Sequence, residues 1–525
     1  MRMSSRRAPE IGTQTCILLI SIMKVSRSRA RLIWNSALRP NSMLPRSHVV
    51  TLVGVLLATA AAATPCVRHL MPAAAAAALS VPLASVRRSQ RVIASASVGQ
   101  ETTAALRIVA PKLSVWTALR AMWSTRSFAE FMSFLRKEVG DVILLDARPV
   151  LPATYLLMGK SANRYVLSDA DPSLEQVLQQ LINLLPVAAR VPAEVDEGLQ
   201  KRVASLFQSE KVVNQLLPSF QQRATELRER WLSVGNGDSL AVFLELSDYV
   251  LLSDLELLFG RRFTQTYSSR ILPCFQAWVQ DLARGASPGI FFTELGNILR
   301  EHIAERRASP SAYEGDESVL QVYLEQGALE RHALDGVVGL LSMTMMAAVF
   351  NTQVSLAWIL VHLYSQPELL KIARDELGSC PNLVEYSHLV RLPFVNSCID
   401  ESVRLHTMLP GNTVVRRAKA DVTYTDGERR QVSIPAGSMV WLYPNAVHLD
   451  EAFFPEPKAF CPMRMLNGNL ERMSSEFELV TFGHGRQRCI GEKMVRWLFQ
   501  ALCILESFMF ERLASARPSR CRHGR

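Results

Sequence analysis

The segment Phe482–Gly491, with the sequence FGHGRQRCIG, sets a single cysteine among three glycines and two arginines and runs directly into an apolar, helix-like stretch. A cysteine in such surroundings is usually a buried core residue, a metal ligand or a nucleophile. The chain has nine cysteines, and no two of them form a C-x-x-C pair, so zinc, iron–sulfur and thioredoxin-like sites have little support. Whatever the role of Cys489, no paired cysteine shares it.

The charge of the chain is unevenly distributed. The 525 residues are 49% hydrophobic, enough for a large core, and the formal charge of +10 by itself suggests nucleic-acid binding. Residues 1–100, however, hold 13 of the 58 basic residues and only one of the 48 acidic residues. The remainder has a net charge of −2, with 45 basic and 47 acidic residues, so we expect no nucleic-acid partner.

Residues 1–110 are rich in Arg, Ser and Ala and nearly free of acids, which is typical of an organelle transit peptide. The apolar run Val49–Ala63 is short for a membrane span and fits a signal-peptide core, with a weak N-terminal anchor as the alternative. We predict a leader over residues 1–110 and a single folded domain over residues 111–525. The expected location is membrane-associated, in the endoplasmic reticulum or a plastid.

The body of the chain is predicted to be mainly α-helical with a small β lobe. Helical spacing dominates residues 192–307, whereas residues 141–160 and the segment RYVLSD at 164–169 are assigned to short strands around turns. Residues 422–444 alternate apolar and polar side chains about an Asp-Gly turn, which predicts a small sheet.

Residues 336–361 carry no charge, so hydropathy alone predicts a transmembrane helix. The middle of this stretch contains Asn351, Thr352 and Gln353, which are costly in lipid but useful beside a buried ligand. A central helix that is buried on all sides in a large helical domain therefore fits better.

Two further motifs precede the cysteine loop. Glu401 and Arg404 lie three residues apart on one predicted helix, and such a pair alone is an ordinary surface ion pair worth about 0.2–0.5 kcal/mol. The segment Phe460–Arg464, FCPMR, then supplies another arginine next to a proline. Each motif alone is weak, but the order and spacing of all three are specific.

In these motifs the chain resembles the cytochrome P-450 haem-thiolate monooxygenases, from about Leu113 to its end. Their ExxR helix, F-x-P-x-R segment and cysteine loop F-x-x-G-x-[R/H]-x-C-x-G occur here in order. The resemblance implies the cytochrome P-450 fold, with haem b between the long central helix and the helix after the cysteine loop. The local pattern of the cysteine loop is most similar to that of sterol 14-demethylases.

The resemblance makes Cys489 the axial iron ligand, and the chemistry of the loop agrees with this role. Backbone N–H groups and the dipole of the helix that begins near Gly491 can stabilise a thiolate. Gly485 and Gly491 allow the backbone to lie close under a flat macrocycle, and Phe482 can shield the sulfur from water.

By similarity, three charged residues form a buried ion-pair cluster with a structural role: Glu401, Arg404 and Arg464. Arg416 occupies the place where relatives bind a haem propionate, with a plain strand-edge arginine as the alternative. Arg202, or its neighbour Lys201, resembles the region that supplies the other propionate partner, although the tryptophan usual in the family is missing there.

The chain departs from the family pattern at several positions. Gln487 stands where the family has Arg or His, and its neutral amide can still donate to a propionate. Asn351 replaces the acid that precedes Thr352 in the family, and Val349 replaces a glycine. Thr352 and Asn351 are the expected catalytic residues of oxygen activation, and the alternative is that both merely satisfy helix carbonyls.

The resemblance implies a monooxygenase that oxidises a lipid, sterol or terpenoid with electrons from an NADPH-dependent reductase or a ferredoxin. An isomerase or dehydratase of lipid hydroperoxides, and a non-catalytic haem-binding relative, are the alternatives. We expect the electron donor to dock on a basic cluster in and after the cysteine loop: Arg486, Arg488, Lys493 and Arg496.

Overall fold

The computed structural model describes residues 109–114, 128–146, 152–168, 173–176, 197–207, 209–233, 242–281, 289–331, 333–378, 391–406, 413–485 and 488–502. Within them the α-helices are α1 (Phe128–Val139), α2 (Lys160–Leu167), α3 (Glu197–Leu206), α4 (Glu210–Ser233), α5 (Val242–Phe259), α6 (Arg261–Asp281), α7 (Gly289–Ala308), α8 (Val319–Glu325), α9 (Ala328–Arg331), α10 (Leu334–Ser365), α11 (Pro367–Gly378), α12 (Pro393–Leu405), α13 (Asn445–His448), α14 (Asn469–Ser475) and α15 (492–502). The predicted leader, apart from its last two residues, lies outside the described residues.

The strands form two sheets that make up the smaller, β part of the molecule. They are β1 (Lys112–Ser114), β2 (Val142–Asp146), β3 (Thr154–Met158), β4 (Leu174–Gln176), β5 (Val414–Ala418), β6 (Val422–Thr425), β7 (Gln431–Ile434) and β8 (Met439–Tyr443). Six strands pair in the order β1-β2-β3-β8-β5-β4, and β6 and β7 form a separate hairpin. The fold is therefore mainly α with a small β lobe, as predicted.

The larger sheet is mixed. Strand β3 runs parallel to β8, with Leu156 opposite Trp441, whereas β5 runs antiparallel to β8, with Arg416 opposite Val440. The hairpin turn between β6 and β7 is closed by Asp426, whose Oδ1 accepts hydrogen bonds from the N–H groups of Glu428 and Arg430, each at 2.9 Å. Asp residues favour this kind of turn because the carboxylate replaces a backbone acceptor.

The segment RYVLSD was assigned to a strand, and this prediction is wrong, because residues 160–167 form helix α2. The buried residues of α2 are Ala162, Asn163, Val166 and Leu167, a spacing that follows the helical period. Asn163 also donates from Nδ2 to the carbonyl of Phe477 at 3.0 Å. Packing against residues far along the chain thus decides the conformation of this short apolar run.

Helix α10 is the long central helix. It is long and apolar enough to cross a membrane, but most of its most apolar stretch is buried inside the protein. It packs against α5, α7 and α12. Gln353 joins α10 to α5 by donating from Nε2 to the Phe243 carbonyl and to Ser247 Oγ, at 2.6 and 2.8 Å. The expectation of a central helix buried in a helical domain fits this arrangement.

Helix α5 contains a buried carboxyl group, Asp254, with a relative exposure of 0%. Neither of its oxygens accepts a hydrogen bond within the part of the chain that the structure describes. Burial raises the pKa of Asp254 well above its ordinary value, because a charged carboxylate loses its hydration there. The folded protein therefore holds a proton on Asp254 at pH values where the unfolded chain has released it.

This proton binding predicts a pH-dependent penalty from Asp254. Between the unfolded pKa of about 3.9 and the raised folded pKa, the stabilising contribution of Asp254 falls by about 1.4 kcal/mol for each pH unit. Asp254→Asn should remove this dependence and increase the free energy of unfolding at neutral pH. Denaturant unfolding of both proteins between pH 5 and 8, with Glu245→Gln on the same helix as control, measures the difference. Parallel pH profiles for wild type and Asp254→Asn would contradict the assignment.

Candidate functional site

Glu401 lies at the centre of a buried group of charges. Arg404 binds it through two hydrogen bonds, from Nε to Oε2 at 2.8 Å and from Nη2 to Oε1 at 2.7 Å. Arg464 donates from Nε to Oε1 at 3.0 Å, and the Cys461 N–H donates to the same oxygen at 3.0 Å. Glu401 and Arg404 are both fully buried. The structure thus brings together the three residues of the predicted cluster.

Helix α12, which contains Glu401 and Arg404, is held at its N-terminus by a proline and a carboxylate. Pro393 occupies the first turn of α12, where a missing N–H costs nothing. Glu376 of α11 accepts hydrogen bonds from the N–H groups of Phe394 and Val395, both at 2.8 Å. A carboxylate at a helix N-terminus satisfies free N–H groups and complements the helix dipole. Glu401 and Arg404 follow two turns later on the buried side.

Arg404 also binds the chain segment that leads to the cysteine loop. Its Nη1 donates to the carbonyls of His448 and Pro457, at 2.5 and 2.8 Å, and its Nη2 donates to the carbonyl of Ala459 at 3.3 Å. Arg464 reaches the Pro455 carbonyl from Nη1 at 2.9 Å. The two guanidinium groups therefore hold residues 448–459 in place with donors that a shorter or singly pointed cation could not supply.

The cysteine loop is closed by its own backbone. The Cys489 N–H donates to the Phe482 carbonyl at 2.7 Å, and the Gly483 N–H donates to the Val480 carbonyl at 3.0 Å. Gly485 adopts a φ of 58°, in the left-handed region that glycine enters without strain. Helix α15 begins three residues after Cys489. The loop therefore presents Cys489 beside a helix N-terminus.

The Cys489 thiol lies next to backbone N–H groups and is accessible at the protein surface. Burial raises the pKa of this thiol, and hydrogen bonds from the backbone N–H groups of Gly491 and Glu492 oppose the increase only in part. A bound cation such as iron removes the thiol proton outright. Cys489 still presents exposed surface, and a Cβ at Gly491 would lie 3.8 Å from its Sγ. The residues around this sulfur therefore fit a flat, metal-centred group lying against the loop.

Helix α10 carries an open patch midway along its buried length. Ala347 and Asn351, one turn apart, are exposed, whereas Thr352 is buried. Asn351 donates from Nδ2 to the Ala347 carbonyl at 2.8 Å, and Ser355 donates from Oγ to the Asn351 carbonyl at 2.8 Å. The Nδ2 group of Asn351 thus satisfies a helix carbonyl, as the alternative to a catalytic role proposes for this side chain.

The open patch and the cysteine loop border the same core. Ala348, next to Ala347, and Phe482 both pack against the principal hydrophobic cluster of the protein. The guanidinium of Arg496 lies over the Phe482 ring, 5.6 Å from its centre. The small side chains of Ala347 and Ala348 take up little volume on this side of α10, and the Phe482 ring is packed between the core and Arg496.

The predicted propionate partners differ in their surroundings. Arg416 is buried on β5, and its Nη1 donates to the neighbouring Val415 carbonyl at 3.0 Å. Arg202 is exposed on α3 and lines a cavity of about 350 Å³ with acidic residues of another segment, including Asp316 and Glu317. The residues that line this cavity come from α3, α4, α8 and their connections, not from the cysteine loop. Gln487 lies outside the described residues.

Two members of the predicted docking cluster, Arg488 and Arg496, form ion pairs with acidic residues of the protein itself. Arg488 pairs with Glu492, from Nε to Oε2 at 2.7 Å and from Nη2 to Oε1 at 3.0 Å. The Arg496 side chain is only 16% exposed, and its Nη2 lies 2.6 Å from Asp400 Oδ1 and 2.9 Å from Glu492 Oε1. Arg496 is therefore a structural cation between α15 and α12. Arg486 lies outside the described residues.

Sequence reasoning missed Asp400, Glu492 and His448, which all contact the residues that hold the loop. The spacing of Arg488, Glu492 and Arg496, each four residues apart, could have suggested that both arginines pair with Glu492, at the start of α15. The partner of Arg496 across the fold, Asp400, is 96 residues away and has no local signal.

Comparison with known proteins assigns the family. A family model described as Cytochrome P450 matches residues 197–522. The chain belongs to the cytochrome P450 family. Its members are haem-thiolate proteins, so the cofactor is haem b with a cysteine thiolate as axial ligand, and the resemblance inferred from the three motifs is confirmed at the level of the family.

Among curated relatives, cytochrome P450 71A8 of Mentha piperita is 28% identical over 207 residues, covering 38% of this chain and 39% of that protein. Geraniol 8-hydroxylase of Swertia mussotii is 32% identical over 148 residues, covering 28% and 29%. Obtusifoliol 14-alpha demethylase of Sorghum bicolor is 22% identical over 376 residues, covering 67% and 74%. The chain spans less than two fifths of the length of the first two relatives.

The ion pair between Arg496 and Asp400 generates a stability prediction. Arg496→Gln leaves the buried Asp400 carboxylate without its cation, which should cost about 3–5 kcal/mol. Arg488→Gln is the matched control, because the Arg488 side chain is 54% exposed and shares Glu492. Arg488→Gln should lower the free energy of unfolding by less than about 1 kcal/mol.

Denaturant unfolding of the three proteins at neutral pH provides the comparison. Two small, equal losses would mean that Arg496 behaves as a surface charge and would contradict its structural role.

Proposed function

We propose that this cytochrome P450 is a haem-dependent monooxygenase that uses dioxygen to oxidise a hydrophobic substrate, with electrons from a partner protein. The observation that carries the proposal is the Cys489 loop. The Cys489 N–H donates to the Phe482 carbonyl and closes the loop, and Cys489 is exposed beside the N-terminus of α15. The segment before the loop is bound to the Glu401 cluster through the hydrogen bond from Arg404 to the His448 carbonyl.

The residues of this chain divide the binding of haem among them. Cys489 would supply the thiolate that holds the haem iron, Gly485 and Gly491 would leave room for the macrocycle, and Phe482 would limit the access of water to the sulfur. Arg416, as a buried cation, would suit one of the two propionates, and Gln487 and Arg202 stay predicted propionate partners. When bound, the haem–thiolate group supplies dioxygen activation, which electron donation from the thiolate favours.

Of the two polar residues on α10, Thr352 is the one that suits proton transfer. The Thr352 hydroxyl is a donor and an acceptor, and its burial keeps bulk water from competing with it. Asn351 cannot act as an acid, and its Nδ2 is already engaged by the Ala347 carbonyl. Its amide thus supplies no proton, so Thr352 is the residue of this pair that carries the transfer.

The substrate class is inferred from the helix and from the relatives. The buried face of α10 contains Met343, Met345 and Met346, flexible apolar side chains that accommodate varied hydrophobic shapes. The relatives include proteins named geraniol 8-hydroxylase and obtusifoliol 14-alpha demethylase. A terpenoid or sterol, or another lipid, is the proposed substrate.

The proposed electron donor is an NADPH-dependent reductase or a ferredoxin, and no nucleic acid takes part. Membrane association, in the endoplasmic reticulum or a plastid, is the proposed location. Apolar substrates gather in membranes, so an enzyme that oxidises them gains from lying at a membrane surface.

An isomerase or dehydratase of lipid hydroperoxides is the second candidate. The engaged amide of Asn351 favours it, because a peroxide substrate already contains the reduced O–O bond and needs neither a proton relay nor an electron donor. The two functions therefore differ in their requirement for a reductase.

Assays of the haem-loaded protein with a terpenoid and sterol panel test the proposal. We expect substrate-dependent consumption of NADPH in the presence of a reductase, with formation of an oxygenated product. Cys489→Ser should abolish this turnover, whereas Cys461→Ser, a half-buried cysteine beside the Glu401 cluster, should retain it. Turnover of a fatty-acid hydroperoxide without reductase or NADPH, and no oxygenation with them, would select the isomerase instead.

A further inference from the structure

His448 lies at the end of α13, between the Glu401 cluster and the cysteine loop, with a relative exposure of 0%. Its carbonyl accepts a hydrogen bond from Arg404 Nη1 at 2.5 Å. Its ring Nε2 accepts a hydrogen bond from the backbone N–H of Val480 at 3.1 Å, and this bond is buried. One residue thus contacts the buried ion pair through its backbone and the entry of the loop through its side chain.

The bonding pattern fixes the protonation state of His448. Because Nε2 accepts from a backbone N–H, the ring proton lies on Nδ1, which is 3.1 Å from Asn445 Oδ1 and donates to it. Burial and the nearby Arg404 lower the pKa of His448 to about 3, so the ring is neutral at physiological pH. The imidazole therefore presents a permanent acceptor to the Val480 N–H.

Val480 begins the turn that leads to Cys489. It is 4% exposed, and its carbonyl accepts the Gly483 N–H at 3.0 Å. Two residues later, the Phe482 carbonyl accepts the Cys489 N–H at 2.7 Å. A displacement of Val480 would shift both hydrogen bonds and, with them, the direction in which the sulfur points.

We propose that His448 is a positioning residue for the thiolate, which transmits the geometry of the Glu401–Arg404–Arg464 cluster to the cysteine loop. This inference rests on the proposed role of Cys489 as the iron ligand. Arg404 holds the backbone of α13, the His448 ring holds Val480, and the loop then holds the sulfur. Groups that orient a metal ligand from outside its coordination sphere commonly change metal affinity about 10- to 100-fold when they are removed.

Three substitutions in the full-length protein test the proposal. His448→Leu removes the acceptor, whereas His448→Gln keeps an acceptor oxygen at the end of a side chain of comparable reach. His302→Gln is the matched control, because His302 is also buried, is 1% exposed and accepts a hydrogen bond from an arginine, Arg306, at 2.9 Å. His302 packs among aromatic rings of α6 and the Pro310–Tyr313 turn, away from the loop.

The readouts are the affinity of the apoprotein for haem and the thiolate-type Soret band of the reduced carbon monoxide complex. His448→Leu should weaken haem affinity about 10- to 100-fold and speed the loss of the thiolate-type band. His448→Gln should recover most of both, and His302→Gln should keep both at the wild-type level. Wild-type affinity and band in His448→Leu, or equal losses in His302→Gln, would overturn the proposal.

Two further measurements keep the test decisive. If His448→Leu does not fold, Asn445→Leu replaces it, since loss of the Nδ1 partner frees the ring to change tautomer while the ring itself remains. A faster decay of the thiolate-type band supports the proposal, and an unchanged decay contradicts it.

A wild-type protein that lacks this band contradicts the proposed function. Hydrogen exchange at the Val480 N–H in the apoprotein then tests whether His448 holds the start of the cysteine loop. Exchange that is faster in Asn445→Leu supports the link to the loop, and unchanged exchange overturns it.

Discussion

One buried carboxylate, Glu401, constrains the part of the protein between α12 and the cysteine loop. Glu401 is fully buried and accepts hydrogen bonds from Nε and Nη2 of Arg404, from Arg464 and from the Cys461 N–H. A charge at this depth is tolerated only when it is paired and its oxygens are saturated, and removing one partner typically costs about 3–5 kcal/mol. The chain from Pro455 to Arg464 must therefore close onto α12 for the protein to fold.

Two consecutive acids on α12 are linked to the segments before and after the cysteine loop. Glu401 acts through Arg404 on His448, and His448 holds Val480 before the loop. Asp400 binds Arg496 on the helix that follows the loop, at 2.6 and 3.1 Å. The loop lies between these two anchored points, so its short backbone hydrogen bonds need to fix only the few residues around Cys489. The buried ion pairs therefore help to determine where the Cys489 sulfur lies, together with the backbone of the loop.

The sequence predicted the parts of this arrangement that have a local pattern. The spacing of Glu401 and Arg404, the FCPMR segment and the cysteine loop led to the family, and the uncharged central stretch led to α10. One error has a physical cause. The segment RYVLSD is too short for its period to distinguish helix from strand, and in the fold Arg164 lies over the Phe477 ring while Val166 belongs to the same hydrophobic cluster as Phe477. The ion pair of Arg496 with Asp400 was not predicted, because the two residues lie far apart along the chain.

Other parts of the site had no pattern to read. A lone histidine such as His448 resembles any core histidine, and only the fold shows that it joins Arg404 to Val480. Arg202 likewise lies among acids from a segment more than a hundred residues away. Local motifs therefore identified the chemistry, whereas long-range partners determine how the chemistry is held and which charges remain available.

The most direct test of this account is the coordination of iron in the full-length, haem-loaded protein. X-ray absorption at the iron edge, together with the electron paramagnetic resonance of the ferric state, reports the axial ligand without any assumption about substrate. We expect one sulfur in the first coordination sphere of the wild type and of Cys461→Ser, and none in Cys489→Ser. A wild-type spectrum with only nitrogen and oxygen ligands, or a sulfur that persists in Cys489→Ser, would contradict the account.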